Sequence, residues 1–349
     1  MTEIEQSFGR YFGTLPASDP LRGAHILDLH AAHTEEVRSL AKAFTDIKAE
    51  INERFVTNAL DIVATTGVVQ VHMGYIASSE VNAFAFQFED WYFIGLTEGM
   101  LELFARSCSD LWRLNPLGDL LGVELTNDNR DLIFQFVLLL ELQYISNHEL
   151  GHMFHGHCAD LSAGRYRAEF SVQSLLAESV GMEGQAKELE ADGYAVNLLL
   201  KNLLQSPSGS FMHQRVQSNM PVRGFVLTLF VLSVAAVLYC LESMTFNPSA
   251  VRRATHSDGL VRMNMLMGEI LGWCTDNVGW PNAISLADFQ RIMSLVVTSA
   301  SNPAQERIWT EQGAYLQTDA GKAYLGDIYK RRINLRNKME PHRWRLRTE

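Results

Sequence analysis

One apolar run limits the folds that are open to this chain of 349 residues. The run extends from Phe225 to Leu241, and its most polar members are Thr228, Ser233 and Tyr239. A helix that is apolar on every side belongs inside a large core or in a membrane. A bilayer span needs about 20 such residues, and no second comparable run occurs. The pattern therefore favours a buried core helix, with a single membrane span or a peripheral membrane contact left open.

The rest of the pattern predicts a mostly α protein with one small antiparallel or mixed β-sheet, which is the α+β class. Apolar side chains recur at helical spacing in seven segments. The predicted helices cover 34–56, 97–113, 131–157, 183–205, 221–245, 259–276 and 285–300. Two or three short strands are expected within 68–96, with breaks near Ser78–Ser79 and Glu89–Asp90. A cluster of Ser, Pro and Gly at 206–210 predicts an exposed loop.

The charge is unevenly distributed along the chain. The net charge is −11, yet the tail at 330–349 holds eight basic residues against two acidic ones. This tail could contact an acidic partner or anionic lipid, or it could be a solvated helix end. The acidic remainder argues against a nucleic-acid-binding protein. Four cysteines without paired spacing, and a start at 1–20 that lacks a signal-peptide pattern, predict a cytoplasmic protein.

The segment His148-Glu149-Leu150-Gly151-His152 ends a long apolar helical run. Residues four apart lie on one face of a helix, so the two imidazoles can bind one Zn²⁺ ion. Glu149 lies beside them and can act as general base toward a water bound to that ion. The segment therefore predicts a zinc hydrolase site that needs a third protein ligand.

A third histidine does not complete this site. His155 shares the face of His148, but closure by histidine requires the spacing HExxHxxGxxH. Here His155 stands where the glycine is needed, and Cys158 stands where the last histidine is needed. We therefore expect His155 and His157 to lie at the helix end or near the site.

Glu188 is the better candidate for the third ligand. It lies in a helical segment 36 residues after His152, and it would complete a His₂Glu set with an open position for water. Asp192, one turn later, could accept the far ring N–H of a ligating histidine. Glu190 should point away and face solvent. The alternative interpretation is that these three acidic residues form a solvated face.

Further motifs accompany the two helices in a fixed order. Asn82-Ala83-Phe84-Ala85 lies upstream, followed by an apolar strand and helix start at 92–101. Glu188 to Asp192 reads Glu-x-x-Ala-Asp, and His256 and Arg262 keep the spacing of a His-Pro-x-x-x-x-Arg motif without its proline. Together these motifs resemble the gluzincin peptidases of the HtpX and CAAX prenyl protease type, although the multiple membrane spans of those peptidases are absent.

The resemblance implies a zincin-like metallopeptidase domain at 61–280. A helical segment would precede it at 1–60, and a helical segment with the basic tail would follow at 281–349. The strand from Asn82 through Ala83 and Phe84 to Ala85 would be an edge strand that pairs with an extended substrate backbone.

The resemblance also implies roles for the site residues. His148, His152 and Glu188 would hold Zn²⁺, Glu149 would be the general base, and Asp192 would orient a ligand. His256 or Arg262 could bind the developing oxyanion or brace the site, the alternative being a salt-bridged helix end.

The expected function is zinc-dependent endopeptidase activity on a protein substrate in the cytoplasm, with no specific nucleic-acid partner. Membrane contact could come from 225–241 or from the basic tail. The metal motif and chain length also resemble the Lit-type phage-exclusion peptidases, which cleave a translation elongation factor. A phage-defence or stress-module protease that cleaves one regulator or translation factor is therefore an alternative. A zinc-stabilised helical interaction or regulatory domain without catalysis is another.

Overall fold

A computed structural model describes most of the chain. The described residues are 2–59, 62–64, 67–68, 70–112, 116–159, 168–169, 178–205, 207–242, 246–254, 257–300, 302–339 and 345–346.

Helices dominate the fold, and the predicted mostly α class with a small mixed sheet is confirmed. The helices are α1 (Glu3–Gly13), α2 (Glu35–Ser39), α3 (Ala41–Ala59), α4 (Glu98–Trp112), α5 (Pro116–Leu121), α6 (Asn127–Phe154), α7 (Glu178–Leu204), α8 (Pro207–Val216), α9 (Val222–Cys240), α10 (Gly259–Val278), α11 (Leu286–Ala300), α12 (Pro303–Gln317) and α13 (Asp319–Met339). The helix predicted at 34–56 is divided into α2 and α3, and the other predicted helices match single elements with shifted ends.

The strands form two sheets. They are β1 (Ile62–Ala64), β2 (Gly67–Val68), β3 (Val71–Ile76), β4 (Ala83–Phe88), β5 (Trp91–Thr97), β6 (Ala168–Glu169) and β7 (Arg345–Leu346). The larger sheet has the order β3-β5-β4-β6, in which β3 and β5 are parallel and the other pairs are antiparallel. The smaller sheet, β2-β1-β7, is antiparallel. The strand breaks predicted near 78–79 and 89–90 are confirmed.

The chain forms two compact units. The first comprises the described residues of 1–105, 145–172 and 333–349, and the second those of 106–144 and 173–332. In the first unit, α1 packs its aromatic face on the sheet. Tyr11 stacks on Phe86 with ring centroids 3.8 Å apart, and Phe8 lies beside Phe93. The prediction of three segments at 1–60, 61–280 and 281–349 remains a prediction.

Helix α9, which contains the apolar run, lies in the second unit. It contacts α5, α7, α8, α10 and α11. Of its most apolar 18 residues, 83% are buried within the chain. It is long and apolar enough to cross a membrane, and it is the one such helix among the described residues. Burial on this scale fits a core helix, while the length and composition alone fit a membrane span as well.

The exposed loop expected at 206–210 is wrong for 207–210, which begin α8. Pro207 occupies the first helical position, where the missing N–H of proline costs nothing. Gly209 permits close packing, because a Cβ there would lie 2.7 Å from the carbonyl oxygen of Leu203 and from Val226. The glycine that suggested a loop is therefore a packing residue.

The basic tail is only partly a solvated helix end. Residues 330–338 belong to α13, but Arg332 is buried and forms an ion pair with Glu269 of α10. Arg345 lies in β7, which pairs with β1. The side chain of Arg332 is thus buried in the second unit and is not part of a solvated helix end.

Candidate metal centre

The two histidines of the HExxH segment and Glu188 form a buried group. Their candidate ligand atoms all lie within 4.8 Å of one another. The Nε2 atoms of His148 and His152 are 3.1 Å apart, so these nitrogens are the ones that converge. This group could hold a metal ion, and the sequence prediction of two histidines and a later carboxylate at one point is supported to that extent.

Helix α6 positions the histidines because four residues make about one turn. His148 and His152 are 0% and 1% exposed, and Glu149 between them is also buried. The two preceding turns of α6 are buried as well, and they combine apolar side chains such as Leu142 and Ile145 with buried polar ones such as Ser146 and Asn147. In the first unit, Ser146 also donates a hydrogen bond to the sulfur of Met73 on β3.

Helix α7 presents a buried polar face. Gln185, Glu188 and Asp192 follow one another at three-to-four spacing, and all are buried. Glu190 is buried as well, at 1% exposure, so the expectation that it faces solvent is wrong. The alternative of a solvated acidic face is wrong for the same reason, since a solvated carboxylate would keep its exposure.

Asp192 is held by two neighbours in the second unit. The Arg262 guanidinium donates from Nε to Oδ2 at 2.9 Å and from Nη2 to Oδ1 at 2.6 Å. The Tyr144 hydroxyl donates to Oδ1 at 2.7 Å. Burial alone would lower the pKa of Arg262, but the Asp192 carboxylate raises it on balance. Burial, and then the charge of Asp192, raise the pKa of Tyr144.

These contacts bear on the roles predicted for Arg262 and Asp192. Two guanidinium nitrogens already bind Asp192, so the bracing role predicted for Arg262 fits better than binding of an oxyanion. Tyr144 and Asp192 each lie four residues from a member of the metal group, His148 and Glu188, respectively. The Tyr144–Asp192 hydrogen bond therefore joins the part of α6 that lies in the second unit to α7.

Arg332 approaches the same stretch of α7 next to Asp192. A Cβ on Gly193 would lie 2.8 Å from Nη2 of Arg332, so glycine is what lets this guanidinium approach the backbone. Arg332 pairs with Glu269, which compensates its buried charge.

The Asn82-Ala83-Phe84-Ala85 segment begins β4. Asn82 is buried just before the strand, and its Oδ1 has no hydrogen-bond partner among the described residues. Phe84 and Ala85 pair with Glu169 and Ala168 of β6. The expected edge strand is therefore covered at these two residues by another segment of the chain.

His256 lies outside the described residues. The described residues before and after it are hydrogen-bonded to Gln185 of α7. The Nε2 of Gln185 donates to the carbonyls of Val251 and Ala254, and its Oε1 accepts from Ser257 at 3.2 Å. The predicted role of His256 stays a prediction.

Two residues near the site were not assigned a role from the sequence. Tyr144 lies one turn before His148, and its position on the same face of α6 was a usable signal. His157 follows the end of α6, and its Nδ1 lies 2.9 Å from the Nδ1 of His152. The sequence signal for this turn is Gly156, because a glycine after a helix commonly marks its end. In the structure Gly156 has a φ of 78° and the chain turns there.

Glu141 is a buried carboxyl on α6, seven residues before His148. Ser107 donates to its Oε1 at 3.1 Å and Cys108 to its Oε2 at 3.3 Å. Burial raises the pKa of Glu141 to about 8, against the opposing effect of these hydrogen bonds. The carboxyl is therefore protonated in the folded protein near neutral pH.

Replacing Glu141 with Gln is expected to remove a pH dependence of stability. The stability linked to a raised pKa is complete below the unfolded value of about 4.3 and is lost as the pH rises to the folded value. Between these values, the free energy of unfolding of the wild type should fall relative to Glu141→Gln by up to about 1.4 kcal/mol per pH unit. Urea unfolding of both proteins from pH 5 to 8 measures this, and a difference independent of pH would contradict it.

Comparison with known proteins gives no family. A scan against protein-family models finds no match, and searches of curated proteins and of solved structures find none either. The residues of the site are therefore the basis on which a function is assigned.

Proposed function

We propose that this chain is a zinc-dependent endopeptidase that hydrolyses peptide bonds of a protein substrate. The observation behind the proposal is the buried group of His148, His152 and Glu188, with Glu149 next to the first histidine on the same helix. Two imidazoles and one carboxylate are a donor set of catalytic zinc sites, which keep a fourth position open.

The spacing of the histidines is compatible with a zinc ion. Two nitrogens bound to one tetrahedral zinc ion at about 2.0–2.1 Å would lie roughly 3.3 Å apart. The two Nε2 atoms lie 3.1 Å apart, which is close to that value. A thiolate-rich site would favour a structural role, but this group contains no cysteine.

Glu149 would supply the base for hydrolysis. A zinc ion in this site would lower the pKa of a bound water toward ~7. The Glu149 carboxylate, beside His148, would accept the proton of that water as it attacks a peptide carbonyl. It would then deliver the proton to the leaving amine, so that the carboxylate is regenerated.

The Asp192–Arg262 pair would hold the carboxylate ligand in place. Asp192 lies one turn after Glu188, and its oxygens are fixed by Arg262 and Tyr144. A ligand on a rigid helix loses little freedom when it binds a metal ion. Asp192 would thus act on Glu188 through the helix, and not as the acceptor for His152.

The proposed substrate is an extended polypeptide segment that pairs with β4. Asn82 supports this, because its buried amide oxygen has no hydrogen-bond partner among the described residues, and an incoming backbone N–H could supply one. The resemblance to Lit-type peptidases suggests a narrower proposal, in which the substrate is a single regulator or translation factor in the cytoplasm. None of the four cysteines, all of which lie in described segments, forms a disulfide, which fits that compartment.

A zinc-stabilised interaction domain without catalysis is the second candidate. The pairing of β4 with β6 favours it, because it already uses backbone groups at Phe84 and Ala85 that a substrate would need. A structural site, however, has no need of a buried base at Glu149.

Zinc reconstitution tests the proposal. Purified protein is stripped of metal, divided, and added to cell lysate with or without restored Zn²⁺, and new N-termini are identified by mass spectrometry. We expect specific fragments only with the zinc-restored protein. His152→Ala, purified and treated in the same way, controls for contaminating proteases. Fragments that form equally with the stripped protein or with His152→Ala would refute the proposal, as would their absence with zinc-loaded wild type.

A further inference from the structure

The hydrogen bonding of the two buried histidine rings His152 and His157 has a consequence for the metal group. Their Nδ1 atoms are 2.9 Å apart, with ring centroids separated by 5.2 Å and planes inclined by 59°. Both side chains are buried, with exposures of 1% and 0%. Two ring nitrogens this close inside a protein require one hydrogen between them, donated by one and accepted by the other.

The direction of this hydrogen bond follows from the nitrogen that faces the metal group. His152 directs Nε2 toward Nε2 of His148, at 3.1 Å. A metal ion needs the Nε2 lone pair, so the proton of the neutral ring must be on Nδ1. His152 then donates from Nδ1, and the Nδ1 of His157 accepts, with the proton of His157 on its own Nε2.

The end of α6 places His157 in this position. The helix ends at Phe154, and Gly156 takes a left-handed backbone conformation with φ of 78°. Its N–H donates to the carbonyl of Met153 at 2.9 Å. A residue with a side chain would be strained at this φ, which explains the glycine. The chain then enters a 3₁₀ turn at His157–Ala159 that contacts β4.

The hydrogen bonds described above for Asp192 are to other groups. Its two oxygens already accept hydrogen bonds from Arg262 and Tyr144, and the Nδ1 of His152 faces His157 instead. We propose that His157 is the positioning residue that fixes the tautomer and ring orientation of His152 for metal binding. The proposal rests on the metal site of the proposed function, but not on peptidase activity.

The test compares the zinc affinity of variants at position 157, measured by competition with a chromogenic chelator. His157→Leu removes the acceptor, and we expect Zn²⁺ to bind about 10–100-fold more weakly, the usual effect of losing a partner behind a ligand. His155→Leu, which removes a neighbouring buried imidazole, is the matched control and should change the affinity less than threefold. Wild-type affinity in folded His157→Leu would overturn the proposal.

Two polar variants make the test independent of the folding of His157→Leu. Asn places its amide oxygen near the position of Nδ1, whereas Gln places it near Nε2. We expect His157→Asn to bind zinc more tightly than His157→Gln, and equal or reversed affinities would overturn the proposal. Zinc binding without proteolysis in the wild type would refute the proposed function alone, because the affinity comparison would still stand.

Discussion

Replacing Glu149 with Gln is expected to lower the rate of peptide hydrolysis by about 10²–10⁴-fold while zinc stays bound, the range by which positioned general bases accelerate reactions. The amide keeps the shape of the side chain but cannot accept the proton of an attacking water. The metal group of His148, His152 and Glu188 does not include this side chain.

The measurement is the initial rate on a fluorogenic or protein substrate, with zinc content determined on the same samples. Glu141→Gln is the matched control, because it makes the same chemical change in a buried side chain of the same helix. Its rate at pH 7 should stay within twofold of wild type. A Glu149→Gln protein that retains zinc and cleaves at the wild-type rate would remove Glu149 from the mechanism and favour another base.

Removal of Asp192 is expected to destabilise the fold by about 3–5 kcal/mol, the usual cost of breaking a buried ion pair by deleting one partner. Arg262 and Asp192 are both almost fully buried, and the guanidinium has two hydrogen bonds to the carboxylate. In Asp192→Ala the positive charge stays inside without compensation. Had Asp192 only oriented a histidine ligand, its loss would weaken zinc binding with little effect on the metal-free protein.

The free energy of unfolding of metal-free Asp192→Ala, measured in urea, distinguishes these roles. The double variant Asp192→Leu/Arg262→Met removes both charges and should recover much of the loss, since an apolar replacement of the whole pair is often neutral or stabilising. Metal-free Asp192→Ala with wild-type stability would contradict the bracing role. The bracing role would also be contradicted if the double variant lost more unfolding free energy than the two single variants lose in sum.

The parts of the site that the sequence predicted depend on local chemistry. The HExxH spacing places two imidazoles on one face of any helix, and the helical pattern before His148 is strong. Glu188 followed from the need for a third ligand and from the helical pattern around it. Both inferences need only the period of a helix and the number and type of ligands that a metal ion prefers.

The parts that were missed depend on which elements pack together. The helical period of α7 gives the angle between Glu188 and Glu190, but not what covers each side, so Glu190 was wrongly placed in solvent. The partner of Asp192 comes from α10, about 70 residues later along the chain, through Arg262. The turn after α6 that brings His157 to His152 depends on one glycine with positive φ.

The strand β6 could not be predicted from its sequence, since two residues give no alternation to detect. These two residues form a strand because they pair with Phe84 and Ala85 of β4. The strand signal in β4 and β5 was readable because each is six or seven residues long and rich in aromatic and branched side chains.

The pairing of β4 with β6 makes any peptide that adds at Phe84 and Ala85 a competitor of the chain itself. A tethered segment acts at an effective concentration that can reach the millimolar range for short linkers, whereas a free peptide must supply its own concentration. Recognition of a peptide there would exchange one strand for another, so the backbone hydrogen bonds gained would be balanced by those lost. Net affinity must then come from side chains or from contacts elsewhere on the incoming protein. Short peptides without such contacts would therefore bind weakly at this strand. A target protein that also binds a second surface of the chain would bind more tightly.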